Sequence, residues 1–185
     1  MKPGLDFVDF NWHRPQSFFP VALAALCNPR KYFASFPRVL IIFPPLVFLL
    51  LTHLVPVAVS LFLPGNQGAK AGLILILTFF SGHLITALTL YAVARIIAKS
   101  PWTLAAALRV YAYAGAVWIT AFLAIFLPEK AAAVYLGLAF CIHAYLVLVG
   151  LQSAGDMSMP IAAACMIITA LVLGIVFTFS GSVFV

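Results

Sequence analysis

Between Lys70 and Arg95 the chain carries no Asp, Glu, Lys or Arg, only apolar and small neutral residues around one histidine, in the run "AGLILILTFFSGHLITALTLYAVA". A stretch of that length has few places to go. An α-helix satisfies its own backbone polar groups and needs about 20 apolar residues to cross the hydrocarbon core of a bilayer. Four further stretches qualify, set apart by breaks rich in Pro, Gly, Asn or charge. Five spans are expected, at about 39–63, 71–98, 102–127, 131–153 and 160–179. Composition agrees, with 65% hydrophobic and 8% charged residues where a soluble domain carries about 25% charge. The fold class is therefore all-α, a polytopic integral membrane protein of five transmembrane helices with an N-terminal interfacial amphipathic helix.

Two parts are expected. Residues 1–38 form a cytoplasmic N-terminal segment and residues 39–185 the five-helix transmembrane domain. Within "SFFPVALAALCNPRKYFASFPRVL", Pro20, Pro29 and Pro37 interrupt the chain too often for a crossing. Asn28 followed by Pro29 opens a short helix, with Asn as cap and Pro in the first turn. Arg30, Lys31, Tyr32, Phe33 and Phe36 suit the membrane interface. In the first span Pro44, Pro45 and Pro56 remove backbone donors, so that helix must kink or begin late. An N-in arrangement puts Lys2, Arg14, Arg30, Lys31, Arg38, Arg95, Lys99 and Arg109 on or near the cytoplasmic side and leaves Lys70 and Lys130 outside. By the positive-inside rule the chain is expected in the cytoplasmic (inner) membrane, N-terminus cytoplasmic and C-terminus outside.

The net charge of +6 belongs beside lipid headgroups rather than nucleic acid, because the basic residues flank apolar runs and bring no base-reading face. Expected partners are membrane lipids and other membrane proteins or a second copy. The "MKPGLDFVDF" start is no secretory signal, and Leu26 before Cys27 argues against a lipoprotein box. Cys27, Cys141 and Cys165 form no disulfide or zinc pattern.

Ionisable groups at membrane depth are costly and count as functional hypotheses. At 1.5 Å per residue, His83 and His143 lie about 18 Å from the outer face and His53 about 15 Å. Two of these histidines, His83 and His143, are candidates to bind a b-type haem, and all three, His53, His83 and His143, a transition metal. The competing reading makes them neutral glue, hydrogen-bonded across helices to Ser81, Thr86 or Thr52. The spans hold no carboxylate to steady a metal or carry protons. Arg109, two turns into the third span, either snorkels to the interface or pairs with Asp156. Small residues four apart, Ala112 with Ala116 and Gly137 with Cys141, allow close helix approach within the bundle or between subunits. No GxSxG, Walker loop, HExxH or carboxylate pair occurs, so no enzymatic activity is expected.

Three stretches also carry a family resemblance: "NPRKYFASFPRVL" before the first span, "AALRVYAYAGAVW" at the third, and "YLGLAFCIHAYLVLVGLQSAGDMSMPIAAACMII" across the fourth and fifth. Together they resemble the Yip family of Ypt/Rab-interacting membrane proteins, over most of residues 28–180. "YAYAGAVW" lacks the proline that family often carries after its third-span tyrosine. The short N-terminal part is similar to the prokaryotic branch, so Rab binding is not carried over. The resemblance implies a non-enzymatic membrane protein acting in membrane organisation or as a partner or scaffold for other membrane proteins. The alternative function is a small membrane subunit of a redox or transport complex that uses the intramembrane histidines.

Overall fold

Proline placement decides where the first long helix begins. In the computed structural model, which describes residues 9–36, 40–61, 68–99 and 101–183, that helix starts at Phe43. Pro44 and Pro45 therefore sit in its first turn, where no backbone donor is required. The helix begins late, as the sequence demands. The expected span start at 39, the turn at 62–67, and Lys2 and Arg38 lie outside the described residues.

A short 3₁₀ turn, Pro15–Ser17, leads into α1 (Phe18–Cys27) and α2 (Pro29–Ala34). Asn28 and Pro29 open α2 at the expected position, although the Asn28 side chain makes no capping hydrogen bond. The long elements are α3 (Phe43–Leu61), α4 (Gly68–Ile97), α5 (Leu104–Ala114), α6 (Glu129–Ser153) and α7 (Met159–Val183). No strand occurs among the described residues. The α5 helix does not stop at Ala114 but tightens into a 3₁₀ helix, Gly115–Phe126. Runs of that kind longer than three or four residues are uncommon.

The regular structure among the described residues is thus all-helical, and it includes four helical stretches long and apolar enough to cross a membrane: Ile76–Ile97, Leu104–Phe126, Glu129–Ser153 and Met159–Val176. The α3 helix supplies a shorter apolar stretch, Phe43–Val59.

Among the residues whose side chains are described, burial is concentrated at one end of the bundle. On α3 the buried positions are Pro45, Phe48, Leu49, Thr52 and His53; on α4 they are Ala87, Leu90, Val93 and Ala94. On α6 they begin at Ala139, and on α7 they are Ala162, Cys165 and Thr169. Every one lies toward the end that carries α1 and α2. A mesh of aromatic rings binds that end: Phe48 meets Phe18 at 4.8 Å and Tyr113 at 4.9 Å, and Tyr113 meets Tyr32 at 5.8 Å. Toward the other end, large apolar residues such as Phe126, Val134, Leu138 and Ile175 are exposed.

Close packing at the tight end depends on one glycine. A Cβ on Gly150 of α6 would collide with the Val110 side chain of α5, so only glycine lets the two helices meet there. The Ala112 and Ala116 pair is likewise buried within the bundle, whereas Gly137 and Cys141 face outward. The α6–α7 turn is closed by the Met157 amide donating to the Leu151 carbonyl, with Asp156 in the left-handed region at φ 52°. A short acidic side chain tolerates that conformation better than most.

Candidate functional site

The three histidines come together. The His53 and His83 rings meet at 4.5 Å between centroids, and His83 meets His143 at 5.8 Å. His83 is central, so α3, α4 and α6 each contribute one ring. Two further residues complete the cluster. Tyr111 lies 5.0 Å from His143, and Trp118, from the 3₁₀ segment, lies 6.0 Å from His143 and 6.2 Å from His83. Neither stood out in the sequence, where tyrosine and tryptophan in an apolar run read as packing.

Local backbone bonding orients two of the rings. His53 Nδ1 lies 2.8 Å from the Leu49 carbonyl and His83 Nδ1 2.8 Å from the Phe79 carbonyl, one turn back on the same helix. A carbonyl only accepts, so each Nδ1 carries the proton, and in a neutral imidazole Nε2 is then an acceptor. Pro56 adds to this region, since its missing N–H leaves the Thr52 carbonyl without its usual helical donor.

The expected glue does not form as expected. The Thr52, Ser81 and Thr86 hydroxyls all donate to carbonyls of their own helices, those of Phe48, Leu77 and Gly82. They are spent locally, because a back-bonded hydroxyl needs no partner from another helix. Across helices the cluster keeps the Tyr111 hydroxyl with Thr86 and the His143 ring beside the Ala114 carbonyl. His53 Nε2 and Trp118 Nε1 are buried without a hydrogen-bond partner, and neither His143 nitrogen makes a well-formed one, although the Ala114 carbonyl stands beside that ring. Each such group costs about 1–3 kcal/mol when left unsatisfied.

Cavities flank the cluster. One of about 330 Å³ lies beside His53, His83 and Trp118, bounded by Pro56, Phe79 and Leu136. Another of about 280 Å³ lies beside His83, His143, Tyr111 and Thr86. Phe79, His83 and Trp118 line both. His83 and His143 pack edge to face, with ring planes at 84°. Among the described residues no three His, Cys, Asp or Glu side chains are gathered in a way that could hold a metal ion.

A second polar centre corrects the expected partner of Arg109. Its guanidinium, 1% exposed, neither snorkels nor meets Asp156. Nε lies 3.4 Å from Asp9 Oδ2, and an Nη donates to the Ile41 carbonyl at 2.9 Å. The Tyr113 hydroxyl donates to the other oxygen of Asp9. Burial, with the Asp9 carboxylate adding to it, holds the Tyr32 hydroxyl well above its ordinary pKa, while Arg109 opposes the shift. Asp156 is exposed and serves the α6–α7 turn instead. The sequence does contain a signal for Asp9: with four acidic residues in all, Arg109 had few partners to choose from.

No family model, curated protein or solved structure matches the chain.

Proposed function

We propose that the protein is a five-span integral membrane protein, N-in and C-out in the inner membrane, that acts without catalysis through lipid and protein contacts in the manner of the Yip family. The observation that carries this reading is the outward apolar face of α4, α6 and α7. Residues such as Leu77, Val134, Phe140, Ile167 and Leu171 are more than half exposed on it, as lipid or an apolar partner requires. The α3 helix, fully apolar apart from Thr52, His53 and Ser60, supplies the fifth span. Reporter fusions test the arrangement. A fusion after Lys99 or Asp156 should report the cytoplasm and one after Pro128 the outside, and the reverse pattern would sink the topology. Partner action is tested by in-membrane crosslinking from Val134 or Leu138. Capture of a discrete protein species supports it, and lipid alone opposes it.

A second reading is favoured by the convergence of His53, His83 and His143. On it the chain is a small membrane subunit that holds a ligand at the imidazole cluster, within a redox or transport complex. The rings are arrayed side by side at similar depth, so the cluster suits holding a molecule better than passing protons from face to face. Native mass spectrometry in mild detergent is the test. An added mass lost in His83→Ala and His143→Ala supports this reading, and a bare chain removes it.

A further inference from the structure

Building on the first reading, we propose that the outward face of α1 lies in the leaflet at its own end of the bundle, and that Arg14, Arg30 and Lys31 select anionic phospholipid there. On that reading the leaflet is the cytoplasmic one.

The sequence points to α2 as the interfacial element, through Tyr32, Phe33 and Phe36. The structure turns those rings inward. Tyr32 and Phe33 are buried, and Phe36 packs on Tyr113 at 5.9 Å. The outward apolar surface belongs to α1 instead. Phe18, Val21, Ala22 and Ala25 are its buried residues, whereas Phe19 and Leu23, one turn apart, are 68% and 63% exposed.

Ring contacts fix the level of that face. Trp12 packs edge to face on Phe43, the first residue of α3, at 5.6 Å. Phe18 packs on Phe48 at 4.8 Å, five residues further along α3 and so about 7.5 Å deeper. Phe19, next to Phe18, therefore projects outward at a level where α3 is already an apolar helix. Its surroundings there are acyl chains.

The cations stand at another level. The α2 helix, which follows α1 after Asn28, shares a cavity of about 350 Å³ with the α6–α7 turn, lined by Phe33 and Phe36 together with Ser153 and Asp156. Arg30 and Lys31, exposed on α2, are thus placed where α6 leaves the hydrocarbon. Arg14, also exposed, follows Trp12 by two residues, and tryptophan at a span entry marks the headgroup level. Apolar below and basic above is the layering of an interfacial helix. None of the three cations forms an ion pair among the described residues. Of the four acidic residues, Asp9 is engaged by Arg109 and Glu129 opens α6 at the far end. A positive surplus therefore faces the headgroups, where anionic lipid attracts each basic residue. A leaflet is a plane, so these charges act within a Debye length of about 8–10 Å without converging on one point.

The test uses the full chain in mild detergent with equimolar phosphatidylglycerol and phosphatidylcholine of the same acyl chains. Native mass spectrometry counts the lipids retained. Phosphatidylglycerol should be enriched about fivefold, the effect of about one basic residue at an anionic surface. Arg14→Gln, Arg30→Gln and Lys31→Gln combined should bring the ratio below about twofold, while Lys130→Gln at the far end should leave it unchanged. Helical circular dichroism and a single elution peak qualify each variant. A spin label at Phe19→Cys, with the native cysteines replaced by alanine, reads depth independently in nanodiscs of the same lipids. It should collide with oxygen and be shielded from a water-soluble nickel chelate. Equal retention of the two lipids overturns the proposal, as does a triple variant that keeps the enrichment or a Lys130→Gln variant that loses it. A label open to the chelate also overturns it, and so does one shielded from both reagents, since protein would then cover the face. Failure of the first reading shows separately. Fusions that report the reverse topology move the surface to the other leaflet, with lipid preference and label depth unaffected.

Discussion

Asp9 and Arg109 stand a hundred residues apart, yet the buried guanidinium depends on that carboxylate. Removing one partner of a buried pair strands the other's charge, at about 3–5 kcal/mol for a fully enclosed pair. The Asp9 side chain is 27% exposed, which lowers the expectation for Asp9→Ala to about 2 kcal/mol. Asp156→Ala should also cost something through its left-handed backbone, but Asp156→Gly should cost nothing. Thermal unfolding in detergent separates the two carboxylates: a fall for Asp9→Ala with none for Asp156→Gly is expected, and equal falls would contradict the pairing. His143 should matter less. Neither of its nitrogens makes a well-formed hydrogen bond, although the Ala114 carbonyl stands beside the ring, so His143→Phe should change stability by no more than about 1 kcal/mol. A strongly destabilised His143→Phe would mean that the ring is structural glue after all. Position along each helix was legible in the sequence, because counting residues measures it. Ring direction was not, since it depends on which carbonyl each Nδ1 finds, and the Arg109 partner was not, since nothing local links it to Asp9.

At the scale of elements, prolines and glycines were the readable marks. Pro44 and Pro45 announced a late start for α3, and Asn28–Pro29 the start of α2. The small-residue pairs were readable as pairs but not as inward or outward, because a helix shows its small residues in the sequence without showing its neighbours. The structure divides them. Gly150 faces the Val110 side chain, whereas a Cβ on Gly137 meets nothing within 4 Å. Gly150→Ala should therefore destabilise by about 1–3 kcal/mol through overpacking, while Gly137→Ala should be neutral or slightly stabilising through helix propensity. Similar melting temperatures for the two variants would refute the close α5–α6 approach. The change from α to 3₁₀ at Gly115 carried no sequence mark. "GAVWITAFLAIF" reads as ordinary apolar helix, and its winding is set by the α1, α3 and α6 surfaces it packs against.

For the whole molecule, the uneven distribution of burial predicts uneven chemistry. Cys165 is buried at the tight end, while Cys27 and Cys141 are exposed. In mild detergent N-ethylmaleimide should label Cys27 fastest, Cys141 more slowly because its outward face lies in the apolar belt, and Cys165 only on denaturation, and three equal rates would contradict the packed core. The membrane character of the chain was plain from its apolar runs. Its internal site was not, because convergence is a property of the assembled bundle. The 3₁₀ segment also bears on the bilayer itself. At about 2.0 Å per residue its 12 residues span about 24 Å, where an α-helix would span about 18 Å. Rewinding it would shorten that one span by about 6 Å, comparable with the difference in hydrophobic thickness between natural membranes. If the surfaces it packs against hold the winding, its amide infrared band should keep its position in short-chain lipid bilayers, and a move toward the α-helical position would mean that bilayer thickness sets it instead.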